Sequence, residues 1–142
     1  MNSHKKTFRH VRILSFGLSV FGFSVATTLW GADIDLSKIP AASKKEGVTF
    51  AKDIQPIFEK SCYKCHGPEK QKAKLRLDSL AATLKGGEDG PNVIPKESAK
   101  SSLVHSVARL VEDDAMPPEG KGDPLTNEQV GLIRAWIDQG AK

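Results

Sequence analysis

The spacing of apolar and polar positions divides the chain into blocks. Residues 13–32 are uncharged, residues 33–47 are mostly polar with Pro40 and Gly47, and a helical pattern starts at Val48. Ile54, Ile57, Phe58 and Cys62 fall on one side of a helix. Asp53 is placed to cap its N-terminus, and Pro56 lies in the first turn, where its missing N–H has no intrahelical partner to lose. Gly67 to Arg76 is basic and irregular, and Leu75-Arg76-Leu77 is extended by pattern but too short for a sheet. Asp78 is expected to cap a short helix, Ser79 to Lys85, that stops at Gly86-Gly87. Beyond a turn-rich loop through Gly90-Pro91 and Pro95, Ser98 to Val111 reads as helix, with Leu103, Val107, Leu110 and Val111 at spacings of three and four or adjacent. Met116-Pro117-Pro118 breaks that pattern and opens a loop through Pro124. Thr126 and Gln129 form a capping box for a last helix, which carries Val130, Ile133 and Ile137 on one face with Leu132 and Trp136 beside it and ends at Gly140. No segment demands a strand and no repeat is visible, so the expected class is all-α, about four short helices.

Charge placement changes the picture at the N-terminus. The chain has 21 Lys and Arg against 17 Asp and Glu, a formal +4. Lys5, Lys6, Arg9 and Arg12 stand in residues 1–32 with no acid, which leaves 33–142 neutral overall. A general nucleic-acid binder keeps its basic excess in the folded part, so that class of partner is set aside. A basic start, an uncharged run and small residues such as Ser24-Val25-Ala26 describe a secretory signal. The uncharged run reaches Ala32 and at 20 residues is also long enough to stay as a membrane anchor. The expected organisation is therefore 1–32 signal peptide or uncleaved anchor, 33–47 flexible linker and 48–142 one domain. Either way the domain is exported, periplasmic or tethered facing the periplasm.

The exported part has few aromatics, Phe50, Phe58, Tyr63 and Trp136, so a bound apolar cofactor would add to a modest core. Its two cysteines, Cys62 and Cys65, are too close for a disulfide to close a stabilising loop. With His66 they make the C-x-x-C-H pattern of c-type haem attachment. On one helical turn the two thiols face the same way, each able to form a thioether to a haem vinyl group, and His66 follows as proximal iron ligand. Two other readings of the cysteines stay open. A thiol–disulfide oxidoreductase would use the same pair, though it expects a βαβ setting. A zinc site would need four ligands, and beyond the motif only His105 is available. For the distal position, Met116 is the one methionine other than Met1. It lies in a loop between Glu112-Asp113-Asp114 on one side and Pro117-Pro118 on the other, which suits a sulfur held at fixed distance from iron. His105 is the rival.

These residues resemble the planctomycete-type cytochrome c domain. The likeness runs over about residues 48–142, through Phe50-x-x-Asp-Ile-x-Pro-Ile-Phe, Cys-x-x-Cys-His-Gly-Pro, Leu75-Arg-Leu-Asp-Ser, Gly86-Gly87, Met116-Pro-Pro, Leu125-Thr, Trp136-Ile and Gly140-Ala. It implies a class I-like fold around one covalently bound haem c with His/Met iron. Lys96 stands where the family commonly has Gly. Gly90-Pro-Asn-Val93 is similar to the Gly-Pro-x-Leu of class I cytochromes, which implies that the carbonyl of Pro91 orients His66 through its second nitrogen. Trp136, Phe58 and Ile133 are expected as core or haem-pocket wall, Tyr63 and Lys64 as surface. From Glu59 to Arg76 six bases face two acids, and from Glu112 to Glu128 six acids face one base. Such a split either steers a redox partner or is solvated surface. The function expected is that of a one-electron carrier between redox proteins, not an enzyme in itself, though it could serve an oxidoreductase as subunit or partner. A haem sensor or peroxidase-like protein with a displaceable Met116 is the further alternative.

Overall fold

The computed structural model describes residues 34–142, so the signal or anchor expected in residues 1–32 lies outside the described residues. Among the described residues there are five α-helices and no strand: α1 Gln55–Ser61, α2 Tyr63–His66, α3 Leu80–Lys85, α4 Ser102–Val107 and α5 Asn127–Asp138. The class is all-α, and no described helix is long and apolar enough to cross a membrane.

Three helices differ at their ends from the sequence pattern. The first helical segment begins earlier, as a wide π turn over Phe50–Ile54 that runs into α1 with Pro56 in its first turn. Asp53 is therefore inside the segment and not its cap; its carboxylate accepts from Thr49 N–H at 2.9 Å and pairs with Lys45. Asp78 does not cap α3 either. It makes a two-pronged pair with Arg76 (2.9 and 2.6 Å), and Ser79 Oγ accepts from Ala82 N–H in its place. The Ser98–Val111 helix is shorter than its apolar spacing suggested. A 3₁₀ turn, Ser98–Lys100, precedes α4, and the left-handed Arg109 (φ 56°) ends the helical path before Leu110 and Val111.

The last helix follows its pattern. Thr126 and Gln129 cap each other's backbone in a complete capping box. Val130, Ile133, Trp136 and Ile137 are buried, and Trp136 Nε1 donates to the Lys142 carbonyl at 3.0 Å. Phe50 packs against both Phe58 (6.1 Å between ring centroids) and Trp136 (5.8 Å), which ties the first helical segment to the last. Phe58, Ile133 and Trp136 are fully buried, as core.

Residues 39–45, read from the sequence as part of a flexible linker, are bound to α5. Ser43 N–H donates to the Gly131 carbonyl (2.9 Å), Arg134 donates to the Pro40 carbonyl, and Gln139 Nε2 donates to the Lys45 carbonyl (2.8 Å). Ile39 packs against the core. At Lys96, where a Gly was the family expectation, the backbone is left-handed (φ 71°) and its N–H donates to the Ile137 carbonyl at 2.7 Å. The turn is kept at some cost in backbone strain.

Candidate functional site

Cys62 stands at a kink. Its backbone (φ −123°, ψ −33°) leaves the helical path between α1 and α2, yet its N–H still donates to the Phe58 carbonyl at 2.7 Å. The Cys62 carbonyl then accepts from both Cys65 N–H (3.0 Å) and His66 N–H (2.8 Å), closing the single turn that holds the motif. Leu77 N–H donates back to the His66 carbonyl at 2.8 Å, and Gly67 N–H donates to the Lys70 carbonyl at 2.9 Å. The motif is thus fixed by backbone bonds on both sides.

Both cysteines are free thiols, partly buried, and Cys62 packs against the core. Burial pushes the Cys62 thiol up to about 12, with Cys65 nearby adding to it. That is opposite to the depressed value of a reactive dithiol. Burial also lowers the His66 imidazole from its ordinary value, opposed by the nearby backbone of Leu75 and Lys72. His66 Nδ1 is buried and has no hydrogen-bond partner, so the Pro91 carbonyl does not accept from it here. Among the described residues no three His, Cys, Asp or Glu side chains gather to hold a metal ion.

Met116 is partly buried and packs against the same core as Cys62. Its N–H donates to the Ser106 carbonyl (3.0 Å), and the next carbonyl, of Pro117, accepts from Arg109 Nη1 (3.0 Å). The loop that carries the sulfur is therefore anchored at two consecutive residues. His105 is half-buried with Nε2 bound to the Ala99 carbonyl at 2.7 Å, a contact that satisfies this nitrogen locally.

The residues present suit a covalently bound haem. Two reduced thiols lie one turn apart, followed by an imidazole with an unpaired buried nitrogen. Leu75, Leu80, Leu84 and Met116 flank the core only partly buried, an apolar surface that a macrocycle would cover. Two surface clefts, of about 360 and 250 Å³, are lined by other residues, around Gly131 and around Arg134.

Lys64 is exposed, as expected, but Tyr63 is not a surface residue. Its ring packs against the core, and its buried hydroxyl lacks a partner. The kink at Cys62 explains the difference, since residue 63 no longer continues the α1 surface. Asn92, which drew no attention in the sequence, also has a buried unpaired oxygen. Its position directly after Gly90-Pro91 was the available signal.

Residues 62–120 match the family model described as Planctomycete cytochrome C. No curated protein and no solved structure matches the chain.

Proposed function

Taking residues 62–120 as a member of the planctomycete cytochrome c family, we propose that this protein is an exported one-electron carrier. Cys62 and Cys65 would hold one haem c covalently, and His66 and Met116 would be the residues that bind its iron. The observation that carries the reading is the single bonded turn Cys62–His66, with two free thiols and an imidazole whose Nδ1 has no protein partner. When bound, haem c supplies an Fe(III)/Fe(II) couple.

The chain's own residues do the rest. Cys62 and Cys65 fix the group in place and in orientation. His66 and Met116 would bind the metal in both oxidation states, which would keep reorganisation small. The soft thioether of Met116 favours the reduced metal, and the apolar surroundings disfavour the extra charge of the oxidised one. The raised Cys62 thiol counts against a thiol–disulfide oxidoreductase. No catalytic residue is proposed. Transfer runs through short-lived contacts with a donor and an acceptor protein, the low-area class of interface.

Substitution at Met116 tests the ligand set. Met116→His replaces a thioether by a stronger donor to the oxidised metal, so the reduction potential falls substantially. An unchanged potential would take Met116 off the iron. Rapid carbon monoxide binding to the reduced unmodified protein would favour the sensor or peroxidase-like alternative.

A further inference from the structure

Met116-Pro117-Pro118 has little means of holding itself in place. Two consecutive prolines have no N–H to donate, so apart from Met116 N–H this backbone is held only through its carbonyls. Met116 N–H donates to the Ser106 carbonyl at 3.0 Å, and the Pro118 carbonyl accepts from Lys121 N–H at 3.0 Å within its own turn. The Pro117 carbonyl, between them, accepts from a side chain eight residues back, Arg109 Nη1, at 3.0 Å.

Arg109 occupies an unusual place for an arginine. Ala108 closes α4, and the residue after it is left-handed (φ 56°). Arg109 N–H donates to the Ser106 carbonyl (3.1 Å) and Leu110 N–H to the His105 carbonyl (3.1 Å), the pair of bonds that ends a helix at a left-handed residue. Glycine is favoured there, because a Cβ strains the left-handed backbone. Core packing does not call for the arginine, since the residue is exposed. Nor does its charge go to the nearest acids. Glu112, Asp113 and Asp114 follow within five positions, yet among the described residues Arg109 is in no ion pair. What its side chain reaches is the carbonyl of the residue directly after Met116. The Ser106 carbonyl accepts from both Arg109 N–H and Met116 N–H, so the helix end and the loop share one anchor.

We propose that Arg109 is the positioning residue of Met116, its guanidinium clamping the Pro117 carbonyl so that the loop keeps the thioether in place. This rests on the haem reading above, with Met116 as a ligand, and adds the residue that separates a carrier from a sensor. An outside ligand competes with Met116 only when the loop opens, and opening breaks the Arg109 bond. Removing the bond therefore raises the population of the open loop.

The test is Arg109→Gly, which suits the left-handed backbone and removes the clamp. In the holoprotein, amide hydrogen exchange at Met116 is about fivefold faster than in the unmodified protein, the ratio that one hydrogen bond of ordinary net strength gives. Exchange at Leu110, in the helix closure, is unchanged. Imidazole binding to the oxidised form, followed by loss of its far-red absorption, tightens by the same factor. The ratio holds at about 0.5 M salt, where a distant charge is screened. Unchanged exchange at Met116, unchanged imidazole affinity, equal acceleration at Leu110, or a ratio that salt abolishes would each overturn the assignment. Failure of the haem reading is seen separately in the unmodified protein, as a chain without covalent haem or an oxidised spectrum without the far-red absorption.

Discussion

At Asp53 burial and hydrogen bonding pull the carboxyl in opposite directions, and hydrogen bonding wins. The Lys45 ammonium and the Thr49 N–H hold it below its ordinary value, against the cost of burial. A carboxyl whose folded pKa is depressed stabilises the fold fully above its unfolded value, about 3.9, and loses that contribution as pH falls through the folded value. Asp53→Asn should therefore lower Tm at pH 7, and the gap to the unmodified protein should close on acidification below about pH 4. A gap that does not change with pH would mean the ionised carboxylate is not the stabilising form. Asp53 shows what one-dimensional reading catches and misses. A carboxylate near a helix start was legible as an electrostatic feature. That it bonds backwards, to a turn starting at Phe50, was not, because a π turn leaves no periodic signature. Tyr63 was misjudged for a related reason, the kink at Cys62.

The helices were legible in proportion to how local their signals are. The capping box and apolar face of α5 are written in adjacent residues, and the structure follows them closely. The far end of α4 is not, since Leu110 and Val111 keep helical spacing while Arg109 turns left-handed ahead of them. The binding of residues 39–45 to the last helix and its end was invisible, because its bonds, each to a backbone carbonyl, join residues about ninety positions apart in sequence. Gly131 makes that approach feasible: a Cβ there would lie 2.6 Å from the Ala41 carbonyl oxygen. Gly131→Ala forces backbone from backbone, and we expect a loss of about 1–3 kcal/mol in chemical denaturation of the holoprotein, the usual range for overpacking. A neutral result would mean that the 39–45 segment is not held on the helix.

Over the whole molecule the charge is divided. Lys60, Lys64, Lys70, Lys72 and Lys74 are exposed around the attachment motif, and among the described residues none is in an ion pair. The acids from Glu112 to Glu128 are exposed around the Met116 loop. If electrons leave beside the lysines, oxidation by an anionic reagent such as hexacyanoferrate should slow as ionic strength rises, because the Debye length falls to about 10 Å at 0.1 M. A rate that is flat or rises with salt would place the exit elsewhere. The C-x-x-C-H motif was the most legible part of the chain, because the two thioethers and the ligand proposed for it need contiguous residues on one turn. The distal ligand proposed at Met116 was harder to read, since Met116 and His66 are fifty residues apart and only folding relates them.

The most direct measurement is acid–acetone extraction of protein made with c-type maturation factors, together with oxidised and reduced optical spectra. Haem should stay with the polypeptide, the oxidised form should show the weak far-red absorption of methionine-ligated iron, and Cys62→Ser with Cys65→Ser should release all colour into the solvent. A colourless protein, or haem extracted from the unmodified chain, would contradict covalent attachment and return Cys62 and Cys65 to thiol chemistry.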